Sequence, residues 1–404
     1  MAGQADETGG ARPDGVIGNH ETPMGMDPGQ TGALTALSWL HFLNDGAANF
    51  LPGILPLLLL SLHRSPALAG GLMAALLIGQ GLQPVFGYWA DRIGGRRLVM
   101  GGFLGTAIGM GLIGVSTGFV PLLAALALIG VANAAFHPPA LAAARSLERA
   151  SRSPGRSVSV FLVGGELGRG LSPWLVTLAA AGFGLDHLWL LSILSVASLV
   201  VLRRYIPVLP VSARHERPLQ WHGKARPLGA LVTFATLRSL VSYALVTFLP
   251  LLWRQQGGSV RTGALLIAVI IVAGIIGNLG GPVLARRFGR QPLLAGSLLL
   301  VAGLLAATLS APWVFAWPLL AGVGIALFAP IAVTVVAGQD IFPENRSLGG
   351  GLALGSANGL AALAMIALGG CAKIFGLEAT LWVTVGLAAL AAGVAKSGGL
   401  TPAP

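Results

Sequence analysis

The chain has 404 residues, of which 54% are hydrophobic and only 10% charged, with 59 glycines and a mean hydropathy of +0.79. That composition is too apolar for a soluble domain and points to a polytopic helical membrane protein. The formal charge of +11 does not indicate a nucleic-acid partner, because the positive residues are dispersed among short loops, and the single cysteine, Cys371, rules out an internal disulfide and a cysteine metal cluster.

Residues 1 to about 30 are rich in Gly, Pro, Asp and Glu without hydrophobic periodicity, and read as a disordered tail. Asp6, Glu7 and Asp14 make it acidic, unlike the start of a signal peptide. Apolar spans are expected at about 33–62, 66–90, 97–117, 119–144, 157–181 and 186–206. A polar insert near 207–227 follows, and then six more spans at about 228–254, 260–285, 291–310, 313–338, 346–371 and 377–397. The domain reading is therefore a tail (1–30), a six-helix bundle (31–206), a linker (207–227), a second six-helix bundle (228–398) and a short C-terminal tail (399–404).

Lys and Arg divide unevenly between the two sets of connections. The even-numbered ones hold Arg92, Arg96, Arg97, Arg145, Arg149, Arg152, Arg156, Arg203, Arg204, Arg214, Arg217, Lys224, Arg226, Arg286, Arg287, Arg290 and Arg346. The odd-numbered ones hold only Arg64, Arg254, Arg261 and Lys373. The positive-inside rule then places both termini and the linker in the cytoplasm, in a bacterial-type inner membrane.

Between the second and third spans lies Gly-Tyr-Trp-Ala-Asp-Arg-Ile-Gly-Gly-Arg-Arg-Leu, residues 87–98. Gly87, Asp91, Arg92, Gly94 and Arg96 stand where the major facilitator superfamily carries its loop signature, and the resemblance implies that they form a gate, with Asp91 pairing a basic residue such as Arg152. A shift of 195 residues superposes Pro282, Arg286, Gly289 and Arg290 on Gly87, Asp91, Gly94 and Gly95, so the second half repeats the first without the Asp. The implied fold is twelve transmembrane helices in two six-helix bundles, with a site between them near the midplane. Leu-Asn-Asp at 43–45, Phe-His-Pro at 136–138 and the glycine-rich run from Val163 to Pro173 further resemble the fosmidomycin-resistance branch, whose members resemble proton-driven exporters. The same run also resembles the antiporter signature of drug exporters; a plain small-residue interface between helices five and eight explains it equally well.

Charged residues inside spans are costly, about 2.5–3.5 kcal/mol each at a helix centre, and mark function by default. Four stand out: Asp45, Glu166, Arg169 and Arg238. Ser38, His41, Asp45 and Asn49 lie along one helical face, which is expected to look into the central cavity. Carboxylate and imidazole one turn apart can hold and release a proton, so Asp45, Glu166 and His41 are the proton-coupling candidates; a hydrogen-bonded packing seam is the bland alternative. Glu166 and Arg169, three apart, either neutralise each other or exchange partners with a substrate. Arg238 has no acid nearby in sequence and needs Asp45, Glu166 or an anionic substrate as counter-ion. Substrate-binding candidates are Arg238, Arg169, Asn44, Asn133, His137, Gln80 and Asn358, with Pro138 and Pro139 expected to break helix four just beyond His137.

No nucleophile elbow, metal-spaced histidine cluster or phosphate loop is present in the sequence, so neither an enzyme, a metal site, a cofactor nor ATP-driven transport is expected. The leading expectation is a monomeric proton-coupled antiporter exporting a small polar or anionic compound, its partners being the substrate, protons and the bilayer. A proton-coupled uptake symporter of an organic anion is the alternative.

Overall fold

The computed structural model describes residues 28–116, 118–148, 156–208, 221–343 and 346–397, and among them there are helices and no strand. Twelve helices follow one another: α1 (Pro28–Ser61), α2 (66–93), α3 (Gly95–Val115), α4 (Phe119–Glu148), α5 (Arg156–Phe183), α6 (Leu185–Tyr205), α7 (Ala225–Gln255), α8 (Val260–Phe288), α9 (Arg290–Ser310), α10 (Trp313–Ile341), α11 (346–375) and α12 (377–396). Helix α5 is long enough to span a bilayer but carries Glu166 and Arg169 mid-helix. The last continuous apolar stretch, Gly349–Lys396, has 48 residues. At 1.5 Å per residue a single helix would run about 72 Å, more than twice a hydrocarbon core of about 30 Å. It reverses instead at Gly376, whose φ of +87° only glycine adopts without strain.

Prolines shape several helices. Helix α1 is interrupted at Phe50, just before Pro52 opens its second segment. Helix α2 tightens into 3-10 turns over Ile78–Leu82, ahead of Pro84, which has no N–H to donate and crowds the carbonyl one turn back. The expected break in α4 does not occur: the helix runs through Pro138 and Pro139 to Glu148. The two prolines cost it only the bonds to the carbonyls of residues 134 and 135, too little to end a 30-residue helix packed on its neighbours.

Close packing depends on small residues. At Gly102 a methyl group would lie 2.6 Å from the Ala132 carbonyl oxygen, so α3 and α4 touch through their backbones. Helices α8 and α10 interlock at Gly277 and Gly324 in the same way. The first six helices meet the last six along two seams. In one, Gly81 of α2 faces Gly359 of α11, with 3.4 Å left for a methyl group; in the other, Gly170 of α5 lies against Ile271 and Val272 of α8.

The outer surface is apolar. Ile193, Val200, Ile276 and Ile366 are each more than half exposed, as lipid contact requires and water would not tolerate over so many residues. Inside, one apolar cluster starts at Ala47 on α1 and spreads through both halves, while a smaller one ends at Leu40 and includes Phe103, Phe136 and Phe161. The six residues between Leu40 and Ala47 hold His41, Asn44 and Asp45, so the polar group sits between two oily layers.

Candidate functional site

The Ser38–His41–Asp45–Asn49 stripe forms as expected, but it does not look into an open cavity. His41 is 3% exposed and Asp45 1% exposed. Helix α5 covers them because Gly164, Gly165 and Gly168 present bare backbone: a methyl at Gly164 would lie 2.6 Å from the Ser38 carbonyl oxygen, and one at Gly165 would strike the His41 ring. Most of the glycine run thus serves the α1–α5 contact, and Gly170 alone of its glycines faces α8. Ser172 Oγ completes the seam by donating to the Gly46 carbonyl at 2.6 Å.

Asp45 is the hub. His137 Nε2 on α4 lies 3.1 Å from its Oδ1, and His41 Nε2 lies 3.4 Å from its Oδ2. The amides of Asn44 and Asn133 each donate to Oδ1 at 3.4 Å, and Arg169 Nη2 donates to Oδ2 at 3.4 Å. Asn44 and Asn133, both 1% exposed, are therefore partners of the carboxylate rather than wall residues of a cavity. The His41 ring is stacked on Phe161 at 4.0 Å between centroids, and its Nδ1 is 2.8 Å from the Phe161 carbonyl oxygen. A carbonyl only accepts, so Nδ1 carries a proton and donates it there, which leaves Nε2 directed at the carboxylate. That Nε2 has no hydrogen-bond partner.

This geometry predicts a packing effect. Gly165→Ala places its methyl 2.8 Å from His41 Nδ1 and closer still to the rest of the ring, so the imidazole must leave the Phe161 carbonyl. Overpacking of this kind costs about 1–3 kcal/mol. A thermal melt in detergent should show a lowered midpoint, recovered when His41→Ala is added to Gly165→Ala. A midpoint unchanged by the first substitution would mean that His41 is not pinned there.

Arg169 joins two acids. Its Nη1 donates to Glu166 Oε1 at 3.4 Å while its Nη2 serves Asp45, and the Glu166 Oε2 is left unpartnered. The Arg169 side chain is 33% exposed and that of Glu166 12%, so this pair, with the 22% exposed His137, forms the open edge of the buried cluster. Glu166 also lines a cavity of about 230 Å³ between α5, α8 and α10, together with Ser159, Asn278 and Pro282.

The second half supplies a different group. Arg238 on α7 is 7% exposed, and among the described residues no carboxylate lies within ion-pair distance of it. The expected pairing with Asp45 or Glu166 does not form, because Arg169 already stands between those acids. Arg238 Nη2 instead donates to Ser239 Oγ at 2.9 Å, which donates to Asn358 Oδ1 of α11 at 2.9 Å, and Nε has no partner. Tyr243 and Arg169 both act electrostatically on Arg238. The sequence reading missed Ser239 and Tyr243.

Other expected residues lie elsewhere. Gln80 is buried in the 3-10 segment of α2 and belongs to none of these hydrogen bonds. In the loop, Gly94 has φ +93° and both ends α2 and starts α3; Arg92 stacks on Tyr88 at 3.7 Å, and Arg96 Nη2 donates to the Arg203 carbonyl at 2.6 Å, tying α3 to α6. Gly87 lies beside Pro138 of α4. The Asp91 side chain and Arg152 fall outside the described residues, and with them the expected gate pair. Asp340 pairs with Arg290 at 2.6 Å on the exposed face where α9 begins and α10 ends.

Residues 37–337 match the Major Facilitator Superfamily. Among curated proteins, the chain is 26% identical over 363 residues to the uncharacterized MFS-type transporter YfnC of Bacillus subtilis (strain 168) and 27% identical over 367 residues to the fosmidomycin resistance protein of Escherichia coli (strain K12). Each alignment covers 84% of this chain and 86% of the relative. Among solved structures, a bacterial homologue of the human lysosomal transporter Spinster, in an inward-facing and unoccupied conformation, superposes with a TM-score of 0.77 at 17% identity, over 94% of this chain and 98% of that one. The nucleoside transporter NupG superposes with a TM-score of 0.73 at 14% identity, over 92% of this chain and 99% of that one. A match over most of the chain, the twelve-helix architecture and a charged cluster held inside it lead to one conclusion: this multi-pass membrane protein belongs to the Major Facilitator Superfamily and is a transporter.

Proposed function

We propose that the chain is a proton-coupled antiporter that exports a small polar or anionic compound by rocking its two six-helix bundles, residues 31–206 and 228–398, about the cluster at Asp45. It sits in a bacterial-type inner membrane with both termini cytoplasmic, the orientation that the Lys and Arg distribution favours. The observation that carries the reading is the sharing of one guanidinium, Arg169, between two acids on the first bundle, with an unpaired guanidinium, Arg238, on the second. A proton arriving on Asp45 or Glu166 changes where Arg169 pairs, and thereby changes what the site offers a substrate. The similarity to a fosmidomycin resistance protein supports export of a compound foreign to the cell.

One feature favours a second reading, uptake of an organic anion together with protons. Neutralising Asp45 releases Arg169, and a released guanidinium attracts an anion, so proton and anion would bind together. Flux direction separates the two. In proteoliposomes with an imposed proton gradient and an internal pH dye, an antiported compound moves against the protons and a symported one with them. A panel of organic acids, sugars and hydrophobic cations is added in turn. If no compound moves protons through folded protein, proton coupling is wrong for both readings.

A further inference from the structure

His41, Asp45 and His137 supply three donors that metal ions prefer, on two helices, and sequence spacing connects the first two but not His137. Their ligand atoms all lie within 4.8 Å of one another. A tetrahedral ion with bonds of about 2.0–2.1 Å holds its ligands about 3.3 Å apart. The two histidine-to-carboxylate separations, 3.4 Å from His41 to Oδ2 and 3.1 Å from His137 to Oδ1, have that size, so the carboxylate meets the ion with both oxygens. Only the distance between the histidines must close, and His137, whose side chain is 22% exposed, is the one with room to turn.

The orientation of His41 is that of a ligand. Its Nδ1–H is held by the Phe161 carbonyl at 2.8 Å, which fixes the tautomer and aims the Nε2 lone pair into the site, as the outer hydrogen bond does for metal-bound histidines. Buried at 3% exposure, that Nε2 lies 3.4 Å from a carboxylate oxygen and makes no hydrogen bond. Two acceptors in contact repel unless a cation lies between them, and either a proton or a metal ion meets that need.

The remaining charged groups leave room for a divalent ion. From α5, Arg169 now touches Asp45 Oδ2, but its other partner Glu166 has a free oxygen, Oε2, and so can take the whole guanidinium in a two-pronged pair. From α7, Arg238 and Tyr243 act electrostatically on the Arg169 region. Two imidazoles and one carboxylate suit zinc and its late first-row neighbours and do not suit magnesium or calcium, which demand six or more oxygens.

We propose that His41 Nε2, Asp45 and His137 Nε2 bind a zinc-type divalent ion, whose fourth position, open toward His137 and Arg169, is left to water. Occupancy keeps protons off Asp45, so the ion blocks coupled transport. That consequence rests on the proton-coupled reading; the binding itself does not.

The test is calorimetric titration of the purified full-length protein in detergent with ZnCl2, alongside absorption of the Co2+ complex. One Zn2+ per chain is expected, with tetrahedral Co2+ bands and no binding of Mg2+. Affinity should fall at least tenfold in His137→Ala and in His41→Ala. The His137 side chain is 22% exposed, so its variant gives a folded reference should loss of the buried His41 disturb packing; the melting midpoint checks this. Absence of Zn2+ binding, or binding that survives both substitutions, overturns the proposal. Zn2+ binding by protein that moves no protons in vesicles leaves the metal site standing and removes the proton reading instead.

Discussion

Replacing Asp45 by Asn should abolish proton-driven transport while leaving the protein folded and able to exchange substrate across the membrane. Asn matches Asp in shape, and the hydrogen bonds from Asn44 and Asn133 can still end on its oxygen. What disappears is the charge that holds Arg169 and faces both histidines. Arg169 then turns wholly to Glu166, and the proton switch at position 45 that shared it between two acids is gone. Coupling free energies between two ligands run about 1–3 kcal/mol, so the dependence of substrate affinity on protons should fall by about 5–150-fold. Counterflow of labelled substrate, which needs no net proton movement, should persist and shows that the variant is intact. Full proton-driven accumulation in this variant would remove Asp45 from the coupling mechanism. Glu166→Gln tests the other acid. It should leave Arg169 bound to Asp45, and a normal proton response there would make Asp45 the sole coupling acid.

The twelve helices were legible because a bilayer asks for about 20 apolar residues at a time, and the chain punctuates them with glycine, proline and arginine. Even Gly376, which separates two helices across an unbroken apolar stretch of 48 residues, falls in the expected gap between the last two spans. The α1 stripe was legible too, since helical period places His41 and Asp45 on one face. Which neighbour covers that face was not. Glycines at 164, 165 and 168 announce a close contact without saying with what, and the partner proved to be α1 and not α8. Nor does period connect His137 with Asp45, because they lie on different helices and meet only through the packing of α1 on α4. The double proline misled for a local reason: proline removes a hydrogen bond, and a long helix packed on four neighbours loses little by it.

Arg238→Met is expected to stabilise the protein and weaken substrate binding at once. A guanidinium in mid-membrane costs about 2.5–3.5 kcal/mol on insertion scales, and among the described residues this one recovers only a single hydrogen bond, to Ser239, with its Nε unpartnered. Had it served to join the bundles, it would pair with an acid of the first half; Glu166 has an unpartnered oxygen, yet no such pair forms. A thioether of similar length fills the same volume without the charge, so the melting midpoint in detergent should rise. A charge-assisted hydrogen bond to a ligand is worth about 1.5–3 kcal/mol, so loss of the guanidinium should weaken binding of an anionic substrate by about 10–100-fold. Arg238→Lys should fall between the two, keeping the charge and losing the two-pronged grip. A structural arginine behaves in the opposite way: Arg238→Met would then lower the midpoint and leave affinity untouched. Opposite signs on two instruments make the distinction sharp, because an arginine kept against its own cost in stability is one that something outside the fold must be using.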